Sequence, residues 1–433
     1  MTAFEGQKRP VSKLTFMKAD DNMAKATGSS KISRLDEIDA LRALALLGIL
    51  CINIWFFANP ARLTGSIPVE IDSGPDQIAR FVFTFLFEAK AYVVFSFLFG
   101  ISFVLAWARS YESGADDYKR ATRRSVALIA IGIVHGLFLF TGDILLAYGI
   151  LGFALLSLRN ISNKAALITA GSIYGVVSVL LLLSSMMAIA FDEYVPVDEI
   201  AESSDEAIEA YTGTIGQWFE FQASVYPGVG AGILFGQGTI VFSAFLVGLV
   251  VGRSRILERI ASGEISSRRV LAYAIPSMVV GMTISAFGAV LNWGVPWAGS
   301  HKAEFGENIL GSTLHMIAGP FQAFGYVAVF MVVFRFLKPL TRLLAPAGRM
   351  SLSNYLGQSV VLVIIFSGLG FGLAGRLDDA TTALIALALW TVQILFSHLW
   401  LRTFKRGPIE APFRAWTYYE KPSAKKTNEW DIS

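Results

Sequence analysis

The chain has 433 residues, 54% of them hydrophobic and only 16% charged, against about 25% charged residues in soluble domains. The net charge of +3 comes from 36 Lys and Arg against 33 Asp and Glu, spread along the chain, and carries no nucleic-acid signature. One cysteine, Cys51, excludes an intramolecular disulfide, and four scattered histidines lack metal-ligand spacing.

Residues 1–31 are polar and mixed in charge, without the apolar core of a signal peptide. They are expected to form a disordered cytoplasmic tail. Apolar runs of about twenty residues then recur to the end of the chain, and a bilayer core about 30 Å thick takes about 20 helical residues to cross. Spans are predicted at 40–58, 78–107, 121–140, 144–158, 166–190, 230–252, 270–292, 309–337, 352–373 and 381–402. The fold class is therefore an all-α polytopic bundle of about ten transmembrane helices. One transmembrane domain covers 32–405, and 406–433 is a cytoplasmic C-terminal segment.

Charge sets the orientation. With the N-terminus inside, 31 of the 36 Lys and Arg fall on inner segments and 4 on outer ones, leaving Lys90 within a span. That bias follows the positive-inside rule and returns the C-terminus to the cytoplasm. The largest outer loop, 191–229, has nine carboxylates and no Lys or Arg. Its DEAIEAYTGTIGQWFEF (205–221) reads as an amphipathic helix on the outer interface, and 253–269 as a short inner surface helix. Five spans precede the acidic loop and five follow it, so any internal duplication would be inverted. No sequence echo between the halves is visible.

Ionisable groups in hydrocarbon are costly and mark candidate sites. In GIVHGLFLFTGDILLAY (132–148), His135 lies eleven residues after Arg124, about 16 Å from the inner boundary. Asn53 lies at a similar depth, eleven residues after Arg42. Glu88, Lys90 and His315 fall in the same outer band, with Gln322 and Gln358 near the middle and His398 near the inner end of its span. Glu88 and Lys90, two apart, face different ways on a helix, whereas Asn354 and Gln358, at i and i+4, can point into one cavity. Asn53 also suits helix–helix hydrogen bonding, and His135 or His315 also suits a satisfied packing role. Gly142-Asp143 reads as a helix stop followed by a cap. His135 and Asp143 would be about 12 Å apart on a continuous helix, so they meet only if the next span's start dips inward. A carboxylate fixing the imidazole tautomer would leave a neutral base.

RLDEIDALRALALLGILCINI (34–54) resembles the opening of the YeiB-like family of bacterial membrane proteins of unknown function. So do FEAKAYVVFSFLFGISF (87–103), HGLFLFTGDILLAYGILG (135–152), AGRMSLSNYLGQS (347–359) and RGPIEAPFRAWTY (406–418), in the same order. Ala43 departs from the family's usual glycine. The resemblance implies a multi-pass protein of the bacterial inner membrane. The family is similar to the wider transmembrane acyltransferase superfamily, which includes bacterial O-acyltransferases of surface sugars and the lysosomal heparan glucosaminide N-acetyltransferase. Those O-acyltransferases carry a catalytic histidine where this chain has Asn53.

What this implies is transfer of an acyl group from cytoplasmic acyl-CoA to an extracytoplasmic acceptor. His135, oriented by Asp143, would be the base, and Asn53 would donate to the developing oxyanion. Glu88, Lys90, Tyr148, His315, Gln322, Asn354, Tyr355 and Gln358 would line the substrate site. Arg42, Arg120, Arg123, Arg124 and Arg349 would meet the CoA phosphates as guanidinium forks. The partners expected are the lipid bilayer and a small-molecule or glycan acceptor; a homodimer is admitted, and neither nucleic acid nor metal is expected. Two other readings stand beside this one: a carrier using Glu88, Lys90 and His135 as a relay across the same outer cavity, and a non-catalytic membrane component.

Overall fold

Helices that are apolar on all sides are stable where lipid or other helices replace water, and most of the long helices among the described residues are of this kind. The computed structural model describes residues 36–64, 70–113 and 117–419. The expected tail at 1–31 and the end of the C-terminal segment lie outside the described residues. Among the described residues there is no strand, only an isolated bridge between Ile71 and His301.

In chain order the helices are α1 (Asp36–Ala58), α2 (Pro75–Phe87), α3 (Lys90–Ser113), α4 (Asp117–Phe138), α5 (Leu145–Ser157), α6 (Asn163–Ala190), α7 (Val197–Thr212) and α8 (Ile215–Gly232). A π-helical turn, Ile233–Gln237, joins α8 to α9 (Gly238–Ser254). Then come α10 (Ile256–Ser262), α11 (Ser267–Trp293), α12 (Phe305–Phe336), α13 (Lys338–Arg349), α14 (Ser351–Phe366), α15 (Asp379–Thr403) and α16 (Glu410–Tyr418). Eight helices or joined helices among the described residues are long and apolar enough to cross a membrane. A ninth arises if α13 and α14, bent by 72°, are counted as one broken span.

The differences from the sequence expectation are local and have causes. The run 78–107 is two helices, broken at Glu88-Ala89, where Ala89 takes φ 66°. The run 144–158 is helical for only 13 residues. In the acidic loop the expected single helix is two, because Gly213 leaves the helical conformation and Thr214 and Gln217 form a capping box that starts α8. The short surface helix of 253–269 is α10.

Local signals set many of the other starts. Ser162 accepts from Ala165 N at the start of α6, and Asp378 accepts from Thr381 N at the start of α15. Helix α1 is central, buried along most of its length against α3, α13, α14 and α15. Gly348 of α13 sits directly on the Asp39 backbone, so any side chain there would separate α13 from α1. By contrast, Ala166, Ala170 and Ser185 are the only buried residues of α6. Much of its remaining apolar surface, including Leu167, Ile168, Val176, Val179, Leu180 and Leu183, is exposed, as on a helix bordering lipid.

Candidate functional site

A cavity of ≈ 350 Å³ opens where three helices lose regularity. Its wall takes Asn53 from α1, Glu88 and Ala89 from the α2–α3 break, Gly142 and Ile144 from the turn before α5, and Gln237 from the π-helical turn. Arg62, Tyr92, Ser312 and Tyr355 add further polar groups to a mainly apolar lining. Irregular backbone within a membrane domain is tolerated where it is buried in protein or lines a cavity, and π-turns recur at functional sites. Tyr355 is 5% exposed, and apart from the Ile144 backbone beside it, its hydroxyl has no hydrogen-bond partner among the described residues. The Tyr92 hydroxyl is likewise unpartnered.

Behind this wall lies a chain of three polar side chains. His135 sits in the last turn of α4 and is 1% exposed. Its Nδ1 is 2.8 Å from Asp143 Oδ1, and its Nε2 is 2.8 Å from Ser359 Oγ on α14. The other oxygen of Asp143, Oδ2, accepts from Leu146 N at 2.9 Å in the first turn of α5. Asp143 therefore performs both roles its sequence suggested, one with each oxygen. They meet because α4 ends at Phe138, with the Leu139 and Phe140 amides both bonded to the His135 carbonyl, and the chain then folds back. Gly132, one turn before His135, makes room: a methyl group there would collide with Leu146 N and Asp143 Oδ2.

With Asp143 ionised and His135 neutral, Nδ1 carries the hydrogen and Nε2 the lone pair, to which Ser359 donates. The Tyr355 ring, one helical turn before Ser359, packs on the imidazole with centroids 5.0 Å apart and forms part of the cavity wall. Phe140, Gly142 and Ile144 complete the partition between the histidine and the cavity.

The remaining sequence candidates fall in three groups. Glu88 and Asn53 line the cavity. Lys90, His315 and Gln322 do not; they sit at the α2–α3 break, where Lys90 and Gln322 donate to backbone carbonyls and His315 meets Lys90 and Ser285. Lys90 Nζ donates to Thr84 O (3.2 Å) and Ser285 Oγ (2.6 Å) and meets His315 Nδ1 (3.1 Å). Ser285 and Gln322 donate to Phe85 O, and Tyr326 donates to Leu86 O. A helix that stops inside the membrane leaves its last carbonyls without partners, and this cluster supplies them. Asn354 and Gln358 share one face of α14, as their spacing requires, but that face meets α15. Asn354 Nδ2 donates to Ser397 Oγ and Gln358 Nε2 to Gln393 Oε1. Tyr148 is buried in the core, its hydroxyl 2.6 Å from Ser96 Oγ and its ring against Phe99 and Phe245.

The arginines cluster at the other end of the bundle, near the starts of α1 and α4. Arg42 is paired with Asp39 and donates to Ser102 Oγ, and Arg349 is paired with Asp36. Arg120 lies over Tyr418, Arg123 over Tyr419 at 3.6 Å, and Arg124 over Phe99 at 4.4 Å. No group of three metal-ligating side chains occurs among the described residues. Ser359 is the residue that sequence reasoning missed. It closes the AGRMSLSNYLGQS stretch, but its partner lies 224 positions away, and no spacing rule spans that distance.

Residues 251–420 match the family model described as a protein of unknown function, DUF418. That match contains Ser359 and Tyr355 but neither His135 nor Asp143. The chain is similar along almost its whole length to the uncharacterised protein YxaH of Bacillus subtilis, 30% identical over 412 residues, covering 91% of this chain and 97% of the relative. It is also similar to the uncharacterised protein YeiB of Escherichia coli, 28% identical over 387 residues, covering 88% and 95%. An uncharacterised 39.9 kDa protein of Bacillus acidopullulyticus is 27% identical over 401 residues, covering 90% and 95%. At 30% identity to YxaH over almost the whole length of both chains, and with its own DUF418 match, the chain belongs to the YeiB-like family.

Proposed function

We propose that the protein is a membrane acyltransferase that moves an acyl group from cytoplasmic acyl-CoA to an acceptor on the far side of the bacterial inner membrane. The observation that carries this reading is the buried Asp143–His135–Ser359 chain one side-chain layer behind a partly polar cavity. An imidazole held by a carboxylate, with its free nitrogen facing a hydroxyl, is the arrangement acyl-transfer chemistry uses to remove a proton at neutral pH. This reading takes both termini as cytoplasmic, from the charge bias, with the cavity on the outer side and the arginine cluster on the cytoplasmic side. Arg120, Arg123 and Arg124, interleaved with Tyr418, Tyr419 and Phe99, offer guanidinium groups to phosphates and rings to an adenine. Asn53 and Tyr355, both lining the cavity, would donate to a developing oxyanion.

A second reading, a carrier, is favoured by one observation: the cavity lies where α2–α3 and α8–α9 depart from regular helix, as at transporter binding sites. Calorimetry of acetyl-CoA and longer acyl-CoAs with the purified protein tests the main reading. Wild type and His135→Ala should bind alike, while the double change Arg123→Ala with Arg124→Ala should weaken binding at least about tenfold, or roughly 1.4 kcal/mol. Absence of binding by folded wild type at millimolar ligand would leave the carrier reading.

A further inference from the structure

We propose that Ser359 is a nucleophile that carries the acyl group as an ester between donor and acceptor; the proposal rests on the acyltransferase reading. Three observations point to it. Ser359 Oγ is 2.8 Å from His135 Nε2, the nitrogen that Asp143 leaves without a hydrogen. Its side chain is buried, and that imidazole is its hydrogen-bond partner among the described residues. Its neighbour one turn earlier, Tyr355, is buried and lines the cavity, its hydroxyl without a side-chain partner among the described residues. Ser96, Ser102, Ser178, Ser185 and Ser397 bond back to their own i−4 carbonyls, while Ser277 and Ser285 reach carbonyls of neighbouring helices. Ser359 is instead turned to the histidine.

The chemistry balances without any further reactant. In the first half, His135 Nε2 takes the Ser359 proton as Oγ forms a bond to the thioester carbonyl. The carbon–sulfur bond breaks, and the CoA thiolate leaves with the proton from Nε2. In the second half, an acceptor hydroxyl or amine gives its proton to Nε2 and attacks the ester. The carbon–Oγ bond breaks, and Ser359 recovers the proton. Ser359 lies in the middle of α14, seven residues before its end at Phe366, about 10 Å along the helix. An ester on Ser359 would let donor and acceptor react one after the other. A direct transfer would need both at once.

The test is acyl trapping with radiolabelled acetyl-CoA and palmitoyl-CoA as probes, on purified wild type, Ser359→Ala, Ser359→Cys and His135→Ala, each checked for folding by size-exclusion chromatography. Label should appear on the wild-type peptide bearing residue 359, survive mild acid and be released by alkaline hydroxylamine. Ser359→Ala should be unlabelled. Ser359→Cys should carry a thioester that neutral hydroxylamine removes, which keeps the test valid if the alanine variant folds poorly. His135→Ala should label at least about a hundredfold more slowly. CoA release by wild type with no label at residue 359, or transfer by Ser359→Ala within about tenfold of wild type, would overturn the nucleophile and leave a direct transfer by His135. Failure of folded wild type to release CoA at all would overturn the acyltransferase reading, and this proposal with it.

Discussion

Replacing Asp143 with alanine should reveal how tightly the buried chain is coupled. The change removes the acceptor of two buried donors at once, His135 Nδ1–H at 2.8 Å and Leu146 N–H at 2.9 Å. Each unpaired buried donor costs about 1–3 kcal/mol, so Asp143→Ala should destabilise by roughly 2–5 kcal/mol. His135→Ala alone leaves the Asp143 carboxylate without its side-chain partner and opens a void. In the double variant neither group is stranded by loss of the other, so the two costs should not add. A coupling of about 1–2 kcal/mol is expected, at the upper end for hydrogen bonds within membrane domains. The assay is a double-mutant cycle on equilibrium unfolding in mixed micelles with increasing dodecyl sulfate, followed by tryptophan fluorescence. Additivity within about 0.3 kcal/mol would refute the pairing, because contacting groups must couple and distant ones do not.

Four further outcomes follow from the geometry. Glu410 accepts from the Leu352 and Ser353 amides at 2.8 and 3.0 Å and from Ser353 Oγ, so it caps the helix that carries Tyr355 and Ser359; Glu410→Ala should cost about 1–2 kcal/mol in the same unfolding assay. Burial pushes the Glu410 carboxyl above its ordinary value, against the hydrogen bonds from Ser353 and Leu352. The folded state then holds the proton more tightly than the unfolded one. Its contribution is complete below the ordinary carboxylate range, about pH 4, and is lost as pH rises through the raised value; Glu410→Gln should flatten that slope above about pH 4. Gly132→Ala should push the Asp143 turn off α4 and cost about 1–3 kcal/mol, read as a lowered melting temperature. Arg80 holds Asp379 with two bonds of 2.6 Å while stacked 3.8 Å over Trp55; Arg80→Lys loses both the fork and the stacking and should cost about 1–2 kcal/mol.

Hydropathy made the helical membrane architecture legible, because a span needs only length and apolarity. The breaks were not, because they depend on tertiary partners. Nothing local to Glu88-Ala89 announces that Lys90, Ser285, Gln322 and Tyr326 will meet the freed carbonyls. The same residues explain why in-membrane polarity misled in part: Lys90 and Gln322 donate to carbonyls around the broken helix, and His315 meets Lys90 and Ser285. His135 and Asp143 stood out from their apolar surroundings, and Gly142 marked the turn that lets them meet. Which face of α14 points to the histidine was hidden, since Asn354 and Gln358 are the more polar pair yet face α15.

The central claim, acyl transfer driven by His135 from a donor on the arginine face, is tested most directly by following free CoA. Acetyl-CoA and palmitoyl-CoA would be presented to purified protein in sealed proteoliposomes, with thiol release read by a chromogenic reagent. Wild type should release thiol faster when lipid and glycan acceptors are enclosed. His135→Ala, folded and still binding acyl-CoA, should be slower by about a thousandfold or more. Equal release by wild type and His135→Ala, or none by wild type, would contradict the account.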